Sequence, residues 1–113
     1  MAERLPRAPS HLSAATKTWW KSVVNEYALQ PHHLRLLQLA GESWDRAQTA
    51  RKVLDRNGLT FDDRFGAPRP RPEIAIERDS RTAFARLVRE LDLDTELPTE
   101  PHRPPSLRRN RRI

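Results

Sequence analysis

The sequence predicts an all-α protein: a long helical hairpin, formed by the first two helices, plus a third helix, with a disordered basic C-terminal tail. Three observations carry this expectation. Apolar residues recur at helical spacing in three stretches, over 13–27, 31–57 and 73–91. Proline, glycine and asparagine punctuate the gaps between them. The last thirteen residues hold five arginines (Arg103, Arg108, Arg109, Arg111 and Arg112) and no acid. The chain carries +6 in total, from 21 basic and 15 acidic groups, so residues 1–100 hold 16 against 15 and are nearly neutral.

Residues 1–12 contain Pro6 and Pro9 and read as an extended lead-in, separate from a helical core domain at 13–93 and a Pro/Arg-rich flexible tail at 94–113. Ser13 is the expected N-cap of the first helix, since its hydroxyl can accept from an orphan amide of the first turn. Trp20, Val23, Val24 and Tyr27 then fall on one face, with Trp19 beside them.

Pro31 suits the first position of a second helix, where its missing N–H is not needed. This helix is expected to be the longest, ending at Asn57-Gly58, which tolerates the left-handed backbone that closes a helix. Leu37, Ala40, Trp44, Ala47, Arg51 and Leu54 follow a heptad seam with a charge at one place. The small residues Ala40, Gly41 and Ala47 would let another helix approach. Leu37, Ala40, Trp44, Ala47 and Leu54 are therefore the expected oligomer interface.

Residues 58–72 read as a loop. Leu59, Phe61 and Phe65 either tuck against the helices or form a short hairpin. A third helix over 73–91 places Ile76, Ser80, Ala83, Phe84, Leu87, Val88 and Leu91 on its buried face.

Chemistry-bearing patterns are sparse. The chain has no cysteine, which excludes disulfides and thiolate metal sites. His32 and His33 are adjacent and diverge by about 100° on a helix, the wrong arrangement for a shared metal. Asp62-Asp63 is the one tight acidic pair and reads as turn chemistry. The three glycines, at 41, 58 and 66, do not have phosphate-loop spacing, and no nucleophile motif stands out. The expectation is a protein that is not an enzyme and takes no cofactor. No run of 18 apolar residues suggests a membrane span, and the N-terminus lacks the apolar centre of a signal peptide. Mean hydropathy is −0.84, polar enough to favour a domain that completes its burial by oligomerising.

The charge points to nucleic acid, because arginines neutralising phosphates give a strong, salt-dependent attraction. The tail arginines are the first candidates for DNA contact, its bland alternative being a solubilising tail. On the second helix Arg46, Lys52 and Arg56 (with Arg51) are either a DNA-facing surface or a solvated face with ion pairs through Asp45. The tryptophans suit core packing, base stacking being the alternative.

An ordered set of motifs resembles the small subunit of the terminase of tailed double-stranded DNA phages. It runs from Ala8-Pro-Ser-His-Leu-Ser13, through Trp19-Trp20, Leu34-Arg-Leu-Leu-Gln-Leu-Ala40 and Asn57-Gly58-Leu-Thr60, to Pro72-Glu-Ile-Ala-Ile-Glu-Arg-Asp79 and Phe84-Ala-Arg-Leu-Val-Arg-Glu-Leu-Asp-Leu93. Asp92 departs from the glycine often found there. The resemblance implies a non-catalytic, DNA-binding homo-oligomeric ring in the host cytoplasm. Its partners would be double-stranded phage DNA and the large ATPase/nuclease subunit, and its role viral genome packaging in a bacteriophage. The rival reading is a small helical DNA-binding transcription regulator.

Overall fold

A computed structural model describes residues 4–93. The elements in chain order are α1 (Ala14–Glu26), α2 (Pro31–Asn57), β1 (Thr60–Asp62), β2 (Pro68–Pro70) and α3 (Pro72–Leu91). The predicted all-α class holds, with one small two-stranded sheet added at the α2–α3 junction. The expected disordered tail, at 94–113, lies outside the described residues.

The sequence signals act locally as anticipated. Ser13 Oγ accepts from the Thr16 amide at 3.2 Å and starts α1. Pro31 opens α2, and Gly58 closes it at φ 85°, where a side chain would be strained. His33 Nδ1 accepts from the Gln30 amide at 3.1 Å, an N-terminal clasp that no residue pattern had suggested. Asp92 ends α3 in the left-handed region, at φ 51° and ψ 51°. That is the position where the resemblance expects glycine.

Packing corrects the predicted pairing. The hairpin is formed by α2 and α3, which share most of the interhelical contact, while α1 touches α2 far less. Trp44 meets Phe84, and the Arg71 guanidinium donates to the Asn57 carbonyl at 3.2 Å. Leu37 and Leu91 share the core. These pairs step in opposite directions along the two helices, so the pair is antiparallel. Along the rest of α2, Gly41 is buried on the side of α1, and the other buried positions are Ala40, Ser43, Ala47 and Ala50. The stripe of these four is shifted from the predicted seam: it runs through Ser43 and Ala50 instead of Trp44 and Arg51. The shift removes the charge that the predicted seam carried, and its small residues let α3 lie close.

Two regions result. The head contains the core, built from Leu12, Trp20, Val23, Val24, Leu37 and Leu91. The lead-in is irregular, as expected, but belongs to this core: Leu12 is buried, and the Trp20 indole donates to the Pro6 carbonyl at 3.0 Å. The arm is the distal part of the α2–α3 pair, closed by the β-hairpin, which settles the open choice at 58–72. Thr60 pairs with Pro70, Phe61 with Arg69 and Asp62 with Pro68.

Asp45 clamps α1 onto α2. One carboxylate oxygen accepts from the hydroxyls of Ser13 (2.7 Å) and Thr16 (2.6 Å), and the other from the Ser13 amide (2.7 Å). The sequence suggested an ion pair for Asp45; its partners are the polar groups at the start of α1, where negative charge is favoured. Burial pushes this carboxyl up, but the Thr16 and Ser13 hydrogen bonds and nearby His11 outweigh it and hold its pKa below the ordinary value. Beside it, His11 Nε2 lies 2.7 Å from Glu42 Oε2. Gly41 makes the close approach possible, since a Cβ there would sit 2.9 Å from the Thr16 methyl and 3.3 Å from Leu12.

Candidate nucleic-acid and assembly surfaces

Of the expected DNA-contacting residues, Arg46, Lys52 and Arg56 lie on α2 and are exposed. Lys52 and Arg56 are one turn apart and share a face. Arg46 is six residues before Lys52, which turns it away by roughly 120°. The three therefore form a loose basic surface and not one convergent patch. Arg103, Arg108, Arg109, Arg111 and Arg112 lie outside the described residues.

Three of the five residues of the expected oligomer interface lie inside the single chain, a correction to that expectation. Leu37 and Ala40 are fully buried and Ala47 is 5% exposed, all within a single chain. They pack inside the helical body and have no surface to offer a second copy. Leu54 is half-buried. Trp44, expected in the core seam, is 43% exposed. Ile76, expected on the buried face of α3, is 39% exposed.

What the sequence did not join is an aromatic cleft where α1, α2 and α3 meet. Phe84 stands between Trp44, with ring centroids 5.1 Å apart, and Trp19, at 5.7 Å. With Ala15 and Thr16 these rings line a cavity of about 250 Å³. The available signal was one aromatic on or beside the predicted apolar face of each helix. The missing information was how the helices are rotated about their axes.

The second apolar surface left uncovered among the described residues is the tip of the arm. Leu59 is exposed, Phe61 is 40% exposed, and Phe65 is 81% exposed. Asp63 builds the turn that presents Phe65. Its Oδ1 accepts from the amides of Phe65 (2.9 Å) and Ala67 (3.0 Å), and its Oδ2 from Arg69 Nε (3.0 Å). The Ala67 and Arg69 hydrogen bonds, aided by Phe65, hold its pKa below the ordinary carboxylate value. Asp63 is thus turn chemistry, as the sequence suggested for the pair, while Asp62 lies in β1. The Arg64 guanidinium lies 5.0 Å from the Phe65 ring centroid.

The imidazoles of His32 and His33 are closer than helical divergence implies, with centroids 4.1 Å apart. His33 Nδ1 is already engaged at the α2 cap. Among the described residues no group of three or more His, Cys, Asp or Glu converges as metal ligands. No helix among them is long and apolar enough to cross a membrane.

These features define a three-helix protein with a packed head and a projecting helical arm. No protein-family model matches the chain, and neither a curated protein nor a solved structure shows significant similarity to it.

Proposed function

We propose that this chain is a small terminase subunit, the DNA-recognition and regulatory component of phage genome packaging. In this reading it is a non-catalytic homo-oligomeric ring that works with a large ATPase/nuclease subunit in the host cytoplasm. The observation that carries the reading is the segregation of charge: five arginines follow a body of 16 basic and 15 acidic groups. The ordered motif set supports it. So do the two apolar surfaces left uncovered among the described residues, which suit self-assembly better than a solitary monomer.

Each tail neutralises a few phosphates weakly, and repetition around a ring multiplies the effect by avidity. Such contacts position the protein without reading bases. The test is binding of the full chain to a labelled DNA duplex across a salt series, with a variant whose five tail arginines are glutamine. Losing up to five phosphate contacts should flatten the slope of log affinity against log salt by about 4–5. An unchanged slope would remove the tail from DNA binding. A dimer that prefers a palindromic site would favour the transcription-regulator reading instead.

A further inference from the structure

We infer that copies of this chain join head to tail, the Phe65 tip of one arm seating in the Trp19–Trp44–Phe84 cleft of the next. The inference rests on the ring reading above and specifies the contact that would build it.

The two surfaces match in kind and size. The tip presents one aromatic ring, 81% exposed, on a turn braced by three hydrogen bonds to Asp63. A ring held that way loses little conformational freedom on docking. The cleft holds about 250 Å³ between three aromatic side chains. Apolar cavities of roughly 150 Å³ already accept benzene, so there is room for one ring. Edge and face contacts among aromatics add to the burial.

The occupant is another copy because the chain's own tip cannot reach. Trp44 is thirteen residues before the end of α2, which puts the cleft roughly 20 Å from that end of a stiff helix pair, with the tip beyond it. The α2–α3 packing prevents the arm from folding back. Charge agrees with the match. Arg64 lies against Phe65 on the tip. The Asp45 carboxylate lies beside the cleft, hydrogen-bonded to Thr16, one of the residues lining it. A contact between two different surfaces of the same chain repeats until it closes, and closure by rotation gives a ring.

Backbone pairing at the hairpin is a lesser contributor. The Arg71 amide bonds to the Leu59 carbonyl, and the Asp63 amide to the Ala67 carbonyl. By the alternation of an antiparallel ladder, Pro68 and Pro70 then face outward on β2. Neither has an N–H to donate, which blunts that edge against strand addition. Strand addition at that edge is thus disfavoured, and the side-chain knob makes the contact inferred here.

The experiment is solution mass by light scattering on full-length chains. Three are compared: the wild type, Phe65→Asp, which spoils the knob, and Ala15→Trp, which plugs the cleft from an exposed position. Phe65→Ala repeats the knob arm without adding charge, and circular dichroism checks that helicity is kept. The expected result is an oligomer for the wild type and a 13.2 kDa monomer for each variant. An equimolar mixture of Phe65→Asp and Ala15→Trp should give a 1:1 heterodimer and nothing larger. The first retains an open cleft and the second retains Phe65, so one contact forms and cannot propagate. If both variants assemble like the wild type, this contact is wrong while the ring reading stands. If the variants are monomers but their mixture stays monomeric, knob-to-cleft pairing is wrong. A wild-type chain that is monomeric with and without DNA overturns both.

Discussion

The two parts of α2 sit in different environments. Near its start, Leu37 is wholly enclosed by the lead-in, α1 and the end of α3. Toward its end, the helix meets α3 through Ala47 and Ala50 and leaves Arg51, Lys52, Asp55 and Arg56 in solvent. The head is closed by large apolar side chains and clamped by Asp45. The arm is held by close packing of small residues and by a turn built around Asp63. Ion pairs decorate its surface, such as the i, i+4 pair of Glu77 and Arg81. The contrast teaches that stability and exposure are divided between the regions. The head supplies a core that folds the chain, and the arm is free to carry apolar groups outward.

Core truncation should separate the regions most sharply. Leu37→Ala is expected to cost about 3–5 kcal/mol in urea unfolding, near the top of the range for a buried leucine. Leu54→Ala, half-buried in the arm, should cost about 1–2 kcal/mol. Equal losses would break the distinction between head and arm.

The clamp comes next. Asp45→Asn keeps the shape but supplies an amide where the carboxylate accepts from Ser13, and should cost about 1–2 kcal/mol in the same assay. The pH dependence has a definite sign. Glu42 is held below its ordinary value by hydrogen bonds from Gln38 and His11, against a smaller effect of burial, and Asp45 is lowered too. Carboxyls depressed in the native state contribute stability above their unfolded pKa, near 4, and lose it as pH falls through the native values. The urea midpoint should therefore drop between pH 5 and pH 3, and Asp45→Asn should flatten part of that drop. A midpoint independent of pH would contradict the clamp.

A smaller effect tests the close approach of α1. Gly41→Ala gains about 1 kcal/mol of helix propensity but drives a methyl against Thr16 and Leu12, an overpacking cost of about 1–3 kcal/mol. A net loss of up to about 2 kcal/mol is expected, and a thermal melt showing stabilisation would mean that the head gives way easily. The smallest global effect should come from Asp63→Ala. The unfolding midpoint should barely move, while the Phe65 and Ala67 amides exchange roughly tenfold faster or more, because the turn opens locally.

Much of the fold was legible residue by residue. Ser13, Pro31 and Gly58 marked helix ends because capping depends on a few adjacent backbone groups. The α1 stripe of Trp20, Val23 and Val24 was read correctly because its period is strong. Thr16 was missed: a buried hydroxyl looks polar in sequence, and only its bond to Asp45 explains its burial. Trp44 and Ile76 were assigned to buried faces because hydrophobicity alone does not tell which side a second helix will cover. The same uncertainty hid the aromatic cleft, whose three rings come from three different helices.

By itself, the sequence determined the helical class, the bounds of the three helices to within a residue or so, the turn role of Asp63 and the concentration of charge in the final thirteen residues. These depend on periodicity, capping and composition, all local along the chain. Tertiary structure alone decided that α3, and not α1, is the partner of α2 in the hairpin, that Leu37, Ala40 and Ala47 face inward, and that Trp44 and Phe65 face outward. The physical reason is that a helix carries its own hydrogen bonds wherever it goes, while its rotation and partner are chosen by which side chains fit together in space.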